Sequence, residues 1–202
     1  MSDEARVLLV RHGQSEWNAM GRWQGQADPP LSELGRTQAR EAARALGTVD
    51  AIWSSDLQRA SETALIIAHD LGIGPVVIEP DLRERDAGAY SGLTRDEIEE
   101  RFPGYLAERR PPPGWEPQEA LVARALRALR RIADELPGGD VVAITHGGII
   151  YAVEGHLGVD HQRIANTGGR WVTVAPDGSV PMRLGERLLL SDPGDATVPA
   201  QL

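Results

Sequence analysis

Two four-residue runs, Val7-Leu8-Leu9-Val10 and Val141-Val142-Ala143-Ile144, are apolar at every position. A strand with one wetted face alternates apolar and polar residues, so a continuous run this short needs cover on both faces. That requirement points to a parallel sheet held between layers of helix. Asp50-Ala51-Ile52-Trp53 and Val76-Val77-Ile78 read as further strands.

Helical segments fall between these runs. Ser32 is an N-cap ahead of a rough stripe that includes Leu31, Leu34, Ala42 and Leu46 and ends at Gly47. Ser54-Ser55-Asp56 offers caps for a helix whose apolar face is Leu57, Ala60, Ala64, Ile67 and Leu71, and Gly72 stops it. Thr94 caps a short acidic helix that ends near Phe102-Pro103. Leu121, Ala125, Leu129, Ile132 and Leu136 mark a long amphipathic helix, with Arg124, Arg127, Arg130 and Arg131 read as polar positions. Gly147-Gly148 opens a last helix, and Asp177-Gly178 signals a hairpin between strands at 171–174 and 182–190. Strands alternating with helices predict an α/β fold, a three-layer α/β/α sandwich around a mostly parallel central sheet. The 202 residues fit one domain spanning 1–202. Within it, residues 80–117 are expected to form a lid or specificity insertion, and 191–202 a loose C-terminal tail.

Composition removes several chemistries. The chain has no Cys, which excludes disulfides, thiolate nucleophiles, Cys-ligated zinc and iron–sulfur clusters. It has no Lys, which excludes Schiff bases and Walker-type phosphate lysines; all 21 of its basic side chains are Arg. With 30 acidic residues the formal net charge is −9, which argues against nucleic acid or anionic membrane as a partner. No apolar run approaches the ~20 residues of a membrane span. The acidic start Met1-Ser2-Asp3-Glu4 is unlike a signal peptide, so a cytoplasmic location is expected. A homodimer is left open.

Ligands of open parallel sheets bind outside the carboxyl ends of the strands. Three clusters fall there: Arg11-His12-Gly13, Ser54-Ser55-Asp56 and Thr145-His146-Gly147-Gly148. One histidine at a strand end is usually structural; two at separate strand ends can share one crevice. With Arg11 beside His12 and Arg59 in the first turn of the following helix, the crevice is suited to a phosphate. Guanidinium forks match phosphate oxygens, and helix N-terminal amides add donors. Neighbouring cations should keep His12 neutral and nucleophilic, leaving the second imidazole to donate to non-bridging oxygens. An alkoxide leaving group also needs a proton, and Glu84 in Leu82-Arg83-Glu84 is the candidate donor. No His-Glu-x-x-His or similar ligand spacing suggests a metal.

These residues carry a resemblance. Leu9-Val10-Arg11-His12-Gly13-Gln14-Ser15-Glu16-Trp17-Asn18 is similar to the signature of the histidine phosphatase superfamily, in its phosphoglycerate-mutase-like branch. The similarity continues through residues 24–28, 31–39 and 54–64, Leu82-Arg83-Glu84, and Thr145-His146-Gly147-Gly148. It implies a phosphoglycerate mutase-like fold and hydrolysis of small phosphate esters through a phosphohistidine, with no metal or organic cofactor. It implies His12 as nucleophile, Arg11, Arg59 and His146 as the phosphate pocket, and Glu84 as proton donor. Asn18 would touch the phosphate, with Gln24, Gly25 and Gly147 at the pocket wall. The chain departs from the family's mutases at Gln24 and Ala87, and it lacks their carboxylate-binding Lys. It therefore most resembles the small phosphatases. A cofactor-dependent phosphoglycerate mutase and a non-catalytic phospholigand-binding protein are the rival readings. Arg109 and Arg110 read as a solvated face, and Trp115 as either core or lid.

Overall fold

A computed structural model of the chain describes residues 3–160, 162–178 and 180–197. Among them six strands form one sheet: β1 (Ala5–Arg11), β2 (Ala51–Ser54), β3 (Val77–Ile78), β4 (Asp140–Thr145), β5 (Gly168–Val174) and β6 (Arg183–Leu189), in the order β3-β2-β4-β1-β5-β6. The β3-β2-β4-β1 block is parallel, and β5 and β6 extend it antiparallel. The helices are α1 (Glu16–Ala19), α2 (Glu33–Ala45), α3 (Gln58–Leu71), α4 (Arg95–Arg101), α5 (Gln118–Glu135) and α6 (Gly147–His156).

The apolar runs are continuous because each strand feeds two cores. Val7 and Leu9 of β1, with Val141 and Ala143 of β4, pack with α5 and α6. Leu8 and Val10, with Val142 and Ile144, pack with α2 and α3 on the other face. The α/β/α sandwich follows from that division. A third, smaller cluster of Tyr90, Leu93, Ile98 and neighbouring rings lies in the 80–117 region, apart from the sheet.

Several local expectations are corrected. The buried stripe of α2 is Gly35, Gln38, Ala39, Ala42 and Ala43, while Leu34 and Leu46 are only half-buried. Small residues suit this face because the chain crosses it closely: a Cβ on Gly35 would lie 2.0 Å from the Gln14 carbonyl oxygen. The Ser54–Asp56 cluster does not cap α3. Its N-cap is Leu57, without a side-chain cap bond, and the Gln58 amide is satisfied by Asp28 Oδ1 at 2.6 Å. β3 shrinks to two residues at the sheet edge, with Ile78 exposed. Trp53 is buried in the core and Trp17 is half-buried.

Arg124 is no surface residue. It falls three positions after Leu121 and four before Ala128, inside the apolar stripe of α5, and it is buried. Residues 191–197, expected to be loose, carry no regular element, yet Gln38 Nε2 donates to the Asp195 carbonyl at 2.6 Å and Thr197 Oγ1 to Asn166 Oδ1 at 2.8 Å. Residues 198–202 lie outside the described residues. No helix among the described residues is long and apolar enough to cross a membrane.

Adding a methyl group at the Gly35 crossing forces backbone apart. Gly35→Ala is expected to lower stability by roughly 1–3 kcal/mol, the usual cost of overpacking. Gly47→Ala, whose Cβ meets nothing within 4 Å, should change it by less than about 0.5 kcal/mol. Urea unfolding of the two variants measures the difference.

Candidate active site

Pairing of β1 with β4 sets Arg11 opposite Thr145, so the two chains leave the sheet side by side. The His12 amide donates to the Thr145 carbonyl at 3.0 Å, and the Ser55 amide to Ile144 at 2.9 Å, which carries the ladder one step past each strand. His12 and His146 thereby come together with ring centroids 5.1 Å apart.

Hydrogen bonds distinguish the two nitrogens of each ring. His12 Nδ1 lies 2.6 Å from the Gly13 carbonyl oxygen. A carbonyl only accepts, so the proton sits on Nδ1 and Nε2 keeps its lone pair. The same Nε2 accepts from Arg59 Nε at 3.2 Å. On His146, Nε2 lies 3.0 Å from Ser55 Oγ. With the Ser55 hydroxyl assigned as donor to Nε2, while it accepts from the Leu57 amide, the imidazole proton sits on Nδ1. That Nδ1 is buried without a partner, and so is Arg11 Nε. Two buried donors without partners are costly unless a ligand meets them.

The arginines are equally constrained. Arg59 is fully buried, with Nη1 on the Ala27 carbonyl at 2.7 Å and Nη2 on the Gly25 carbonyl at 2.8 Å. Burial lowers its pKa to about 10, so it stays charged at neutral pH. Arg11 Nη1 donates to the Ile164 carbonyl at 2.9 Å. Burial, followed by the charges of Arg59 and Arg11, holds His12 well below the ordinary histidine pKa, against an opposing pull from the Gly13 carbonyl. Burial, then Arg59 and His12, does the same to His146. Both rings are neutral.

Beside this buried group opens a cleft of about 440 Å³ lined by Arg11, Asn18, Gln24, Gly25, Glu84, Gly148 and Trp115, among others. Asn18 Oδ1 accepts from the Ser15 amide at 3.2 Å and from Asn166 Nδ2 at 3.4 Å, leaving its NH2 for a ligand. Gln24 Oε1 accepts from Ser15 Oγ at 2.7 Å. Gly25 (φ 52°) passes so close to Ala87 that a Cβ would lie 2.6 Å from its nitrogen. Glu84 Oε2 accepts from the Gly148 amide at 3.2 Å, and a Cβ on Gly148 would lie 2.0 Å from Oε1. The carboxylate thus sits at the N-terminus of α6. Gly148 rather than Gly147 lines the cleft, and Gly147 is buried behind it.

Trp115 stands between this cleft and a second cavity of about 570 Å³, which Arg109 and Arg110 help to line. Its indole packs edge-on against Trp23 and Tyr90. Three further residues shape the site. Ser55, in the second strand-end cluster, meets His146 Nε2, Asn166 Nδ2 holds the His12 carbonyl at 2.9 Å, and Arg124 holds the Glu84 loop. Asn166 and Arg124 were not expected at the site; Arg124 left a signal, a charge at an apolar stripe position. Among the described residues no group of three or more His, Asp or Glu could hold a metal ion.

Comparison with known proteins matches residues 7–180 to the histidine phosphatase superfamily, branch 1. The chain belongs to that superfamily. A metal-independent phosphoserine phosphatase of Arabidopsis thaliana is 40% identical over 162 residues, covering 75% of this chain and 68% of its own. A glucosyl-3-phosphoglycerate phosphatase of Mycobacterium tuberculosis is 38% identical over 167 residues, 75% of this chain and 74% of its own. The structure of a mycobacterial glucosyl-3-phosphoglycerate phosphatase with VO3 superposes with a TM-score of 0.79 at 34% identity, over 92% of this chain and 99% of that one.

The histidine pair of this superfamily member makes its stability depend on pH. Unfolded imidazoles titrate near ~6.5, and these two titrate well below that when folded. Above about pH 6.5 neither state takes up the protons. Below it the unfolded chain binds two protons that the folded chain refuses, so stability falls by up to about 2.7 kcal/mol per pH unit. Denaturant unfolding between about pH 7 and pH 5.5 should show this loss, and His146→Ala should reduce the slope by about half. A flat profile would contradict two buried neutral rings.

Proposed function

We propose that this protein hydrolyses phosphomonoesters of small metabolites by transferring the phosphoryl group to His12. Nε2 of His12 attacks phosphorus in line, the P–O bond to the alcohol breaks, and Glu84 protonates the departing oxygen. Arg11, Arg59, Asn18 and His146 Nδ1 hold the non-bridging oxygens, whose charge spreads in the transition state. Water then attacks the phosphohistidine while Glu84, now a carboxylate, takes its proton. Phosphate leaves and His12 is restored.

The observation that carries this reading is the buried histidine pair. One ring offers an unprotonated Nε2 that meets only Arg59 Nε at 3.2 Å, the other an unpartnered Nδ1, and Arg11 Nε is unpartnered as well. A non-catalytic ligand-binding protein has no need of a neutral, unprotonated Nε2 among cations. The relatives' names, which specify phosphoserine and glucosyl-3-phosphoglycerate phosphatases, make those two esters the first substrates to assay. The net charge of −9 favours a small ester over a polyanion as partner. We assign the 80–117 segment, with Trp115 at its rim, to substrate selection. The mutase rival would transfer phosphate to 3-phosphoglycerate from a bisphosphate primer, which a direct assay reads.

His12→Ala should abolish turnover with the fold intact, and the acid-labile phosphate trapped on the native enzyme should map to His12. Glu84→Gln should slow hydrolysis of alkyl phosphates by roughly 10²–10⁴-fold and spare nitrophenyl phosphate, whose leaving group needs no proton. Chelators should leave the rate unchanged, while vanadate, a mimic of the five-coordinate phosphoryl group, should inhibit. Equal losses on both substrate classes would remove Glu84 from proton transfer, and phosphate on another residue would overturn the mechanism.

A further inference from the structure

The loop that carries Glu84 is bound to one buried guanidinium. Arg124 Nη1 donates to the carbonyls of Asp81, at 2.9 Å, and of Arg83, and Nη2 donates to that of Glu84 at 2.9 Å. The same side chain grips the Glu116 carboxylate with two prongs, Nε to Oε1 at 2.7 Å and Nη2 to Oε2 at 2.8 Å. Burial pulls the Glu116 carboxyl upward, but the Arg124 hydrogen bonds and charge prevail and hold it below the usual carboxylate range. Glu116 in turn accepts from the Asp86 amide at 3.2 Å, two residues past Glu84. Around Glu84 itself, Gln26 Nε2 donates to its carbonyl at 3.2 Å, and the Arg85 and Gly148 amides donate to its carboxylate.

We propose that Arg124, braced by Glu116, is a positioning residue that fixes the Glu84 loop so that its carboxyl reaches the departing oxygen. The inference rests on Glu84 as proton donor. A planar fork suits three carbonyls and one carboxylate; an ammonium on a flexible stem cannot meet all four. Arg124 itself is anchored in α5, between Leu121 and Ala128, on the most regular element behind the sheet. Its position is therefore set by the core, and it ties the Glu84 end of the loop to that core, alongside the Thr145 hydroxyl on the Leu82 carbonyl at 2.8 Å and the Arg83–Asp56 ion pair. No hydrogen bond of Arg124 reaches His12, Arg11, Arg59 or His146; its charge does act on His146, and Arg124→Lys keeps that charge.

The test is Arg124→Lys, assayed on an alkyl phosphate and on nitrophenyl phosphate, alone and combined with Glu84→Gln. The expected result is a fall of roughly 10–10²-fold on the alkyl ester, a much smaller fall on the aryl ester, and unchanged vanadate inhibition. On the alkyl ester, Arg124→Lys should add nothing to Glu84→Gln. Equal losses on both esters, or full additivity with Glu84→Gln, overturn the proposal while leaving Glu84 as the acid. An unselective Glu84→Gln overturns both together. Should Arg124→Lys fail to fold by thermal melting, Glu116→Gln removes the brace with little change of shape and must show the same selectivity.

Discussion

Parallel pairing of β1 with β4, in the register that sets Arg11 opposite Thr145, is the constraint from which the site follows. It brings two loops from distant parts of the sequence to one edge of the sheet and sends both into the same crevice. The cations there are then buried: Arg11 and Arg59 are at most 4% exposed. Burying cations is costly unless each donor has a partner. Backbone carbonyls of Gly25, Ala27 and Ile164 supply most of those partners. Carbonyls bring no countercharge, so the crevice keeps a positive field, offset in part by the carboxylates of Glu84 and Asp28.

That field explains why the histidines are arranged as they are. A protonated imidazole beside two guanidinium groups would be repelled, and burial adds a desolvation cost. Both rings therefore stay neutral, and each neutral ring must choose which nitrogen bears its proton. The Gly13 carbonyl makes the choice for His12, and a Ser55 hydroxyl donating to Nε2 gives His146 the same tautomer. Both rings carry the proton on Nδ1 but present different nitrogens: His12 its Nε2 lone pair, His146 its Nδ1 proton. A dianion entering this pocket would complete the Arg11 and His146 donors at once, so the cost of leaving them unpaired is recovered on binding.

The parts legible in the sequence were those set by local rules. Continuous apolar runs, Gly72 at the end of α3 and the Thr94 capping box of α4 each follow from neighbours a few residues away. The end-of-strand clusters were legible for the same reason, because strand ends and their following residues are adjacent in the chain. What escaped depends on long-range contacts. α3 is capped by Asp28, thirty residues earlier. Asn166 holds the His12 carbonyl from 154 residues away. The 191–197 segment gives no local sign of its contacts, yet Gln38 donates to the Asp195 carbonyl and Thr197 to Asn166. Arg124 is the instructive miss: its spacing placed it among Leu121, Ala125 and Ala128, and its charge led it to be read as a surface residue.

On the proposed mechanism, with Glu84 as proton donor and 80–117 as the specificity segment, a division of labour follows for the two sides of the cleft. The phosphate side is built from sheet ends and the starts of α3 and α6, elements that share the two large cores. The leaving-group side is built from the 80–117 segment, whose own core is a small aromatic cluster apart from the sheet. Such a segment can change sequence with little effect on the sheet, so the alcohol half of the substrate can vary while the phosphoryl chemistry stays fixed. The proton donor is the one group that must belong to both sides, since it acts on the bond between them. Glu84 lies at that boundary, with its carboxylate on the α6 amide and its backbone on Arg124 of α5. Both anchors come from helices that pack on the sheet, so the donor stays registered to the phosphate even where the surrounding segment is remodelled.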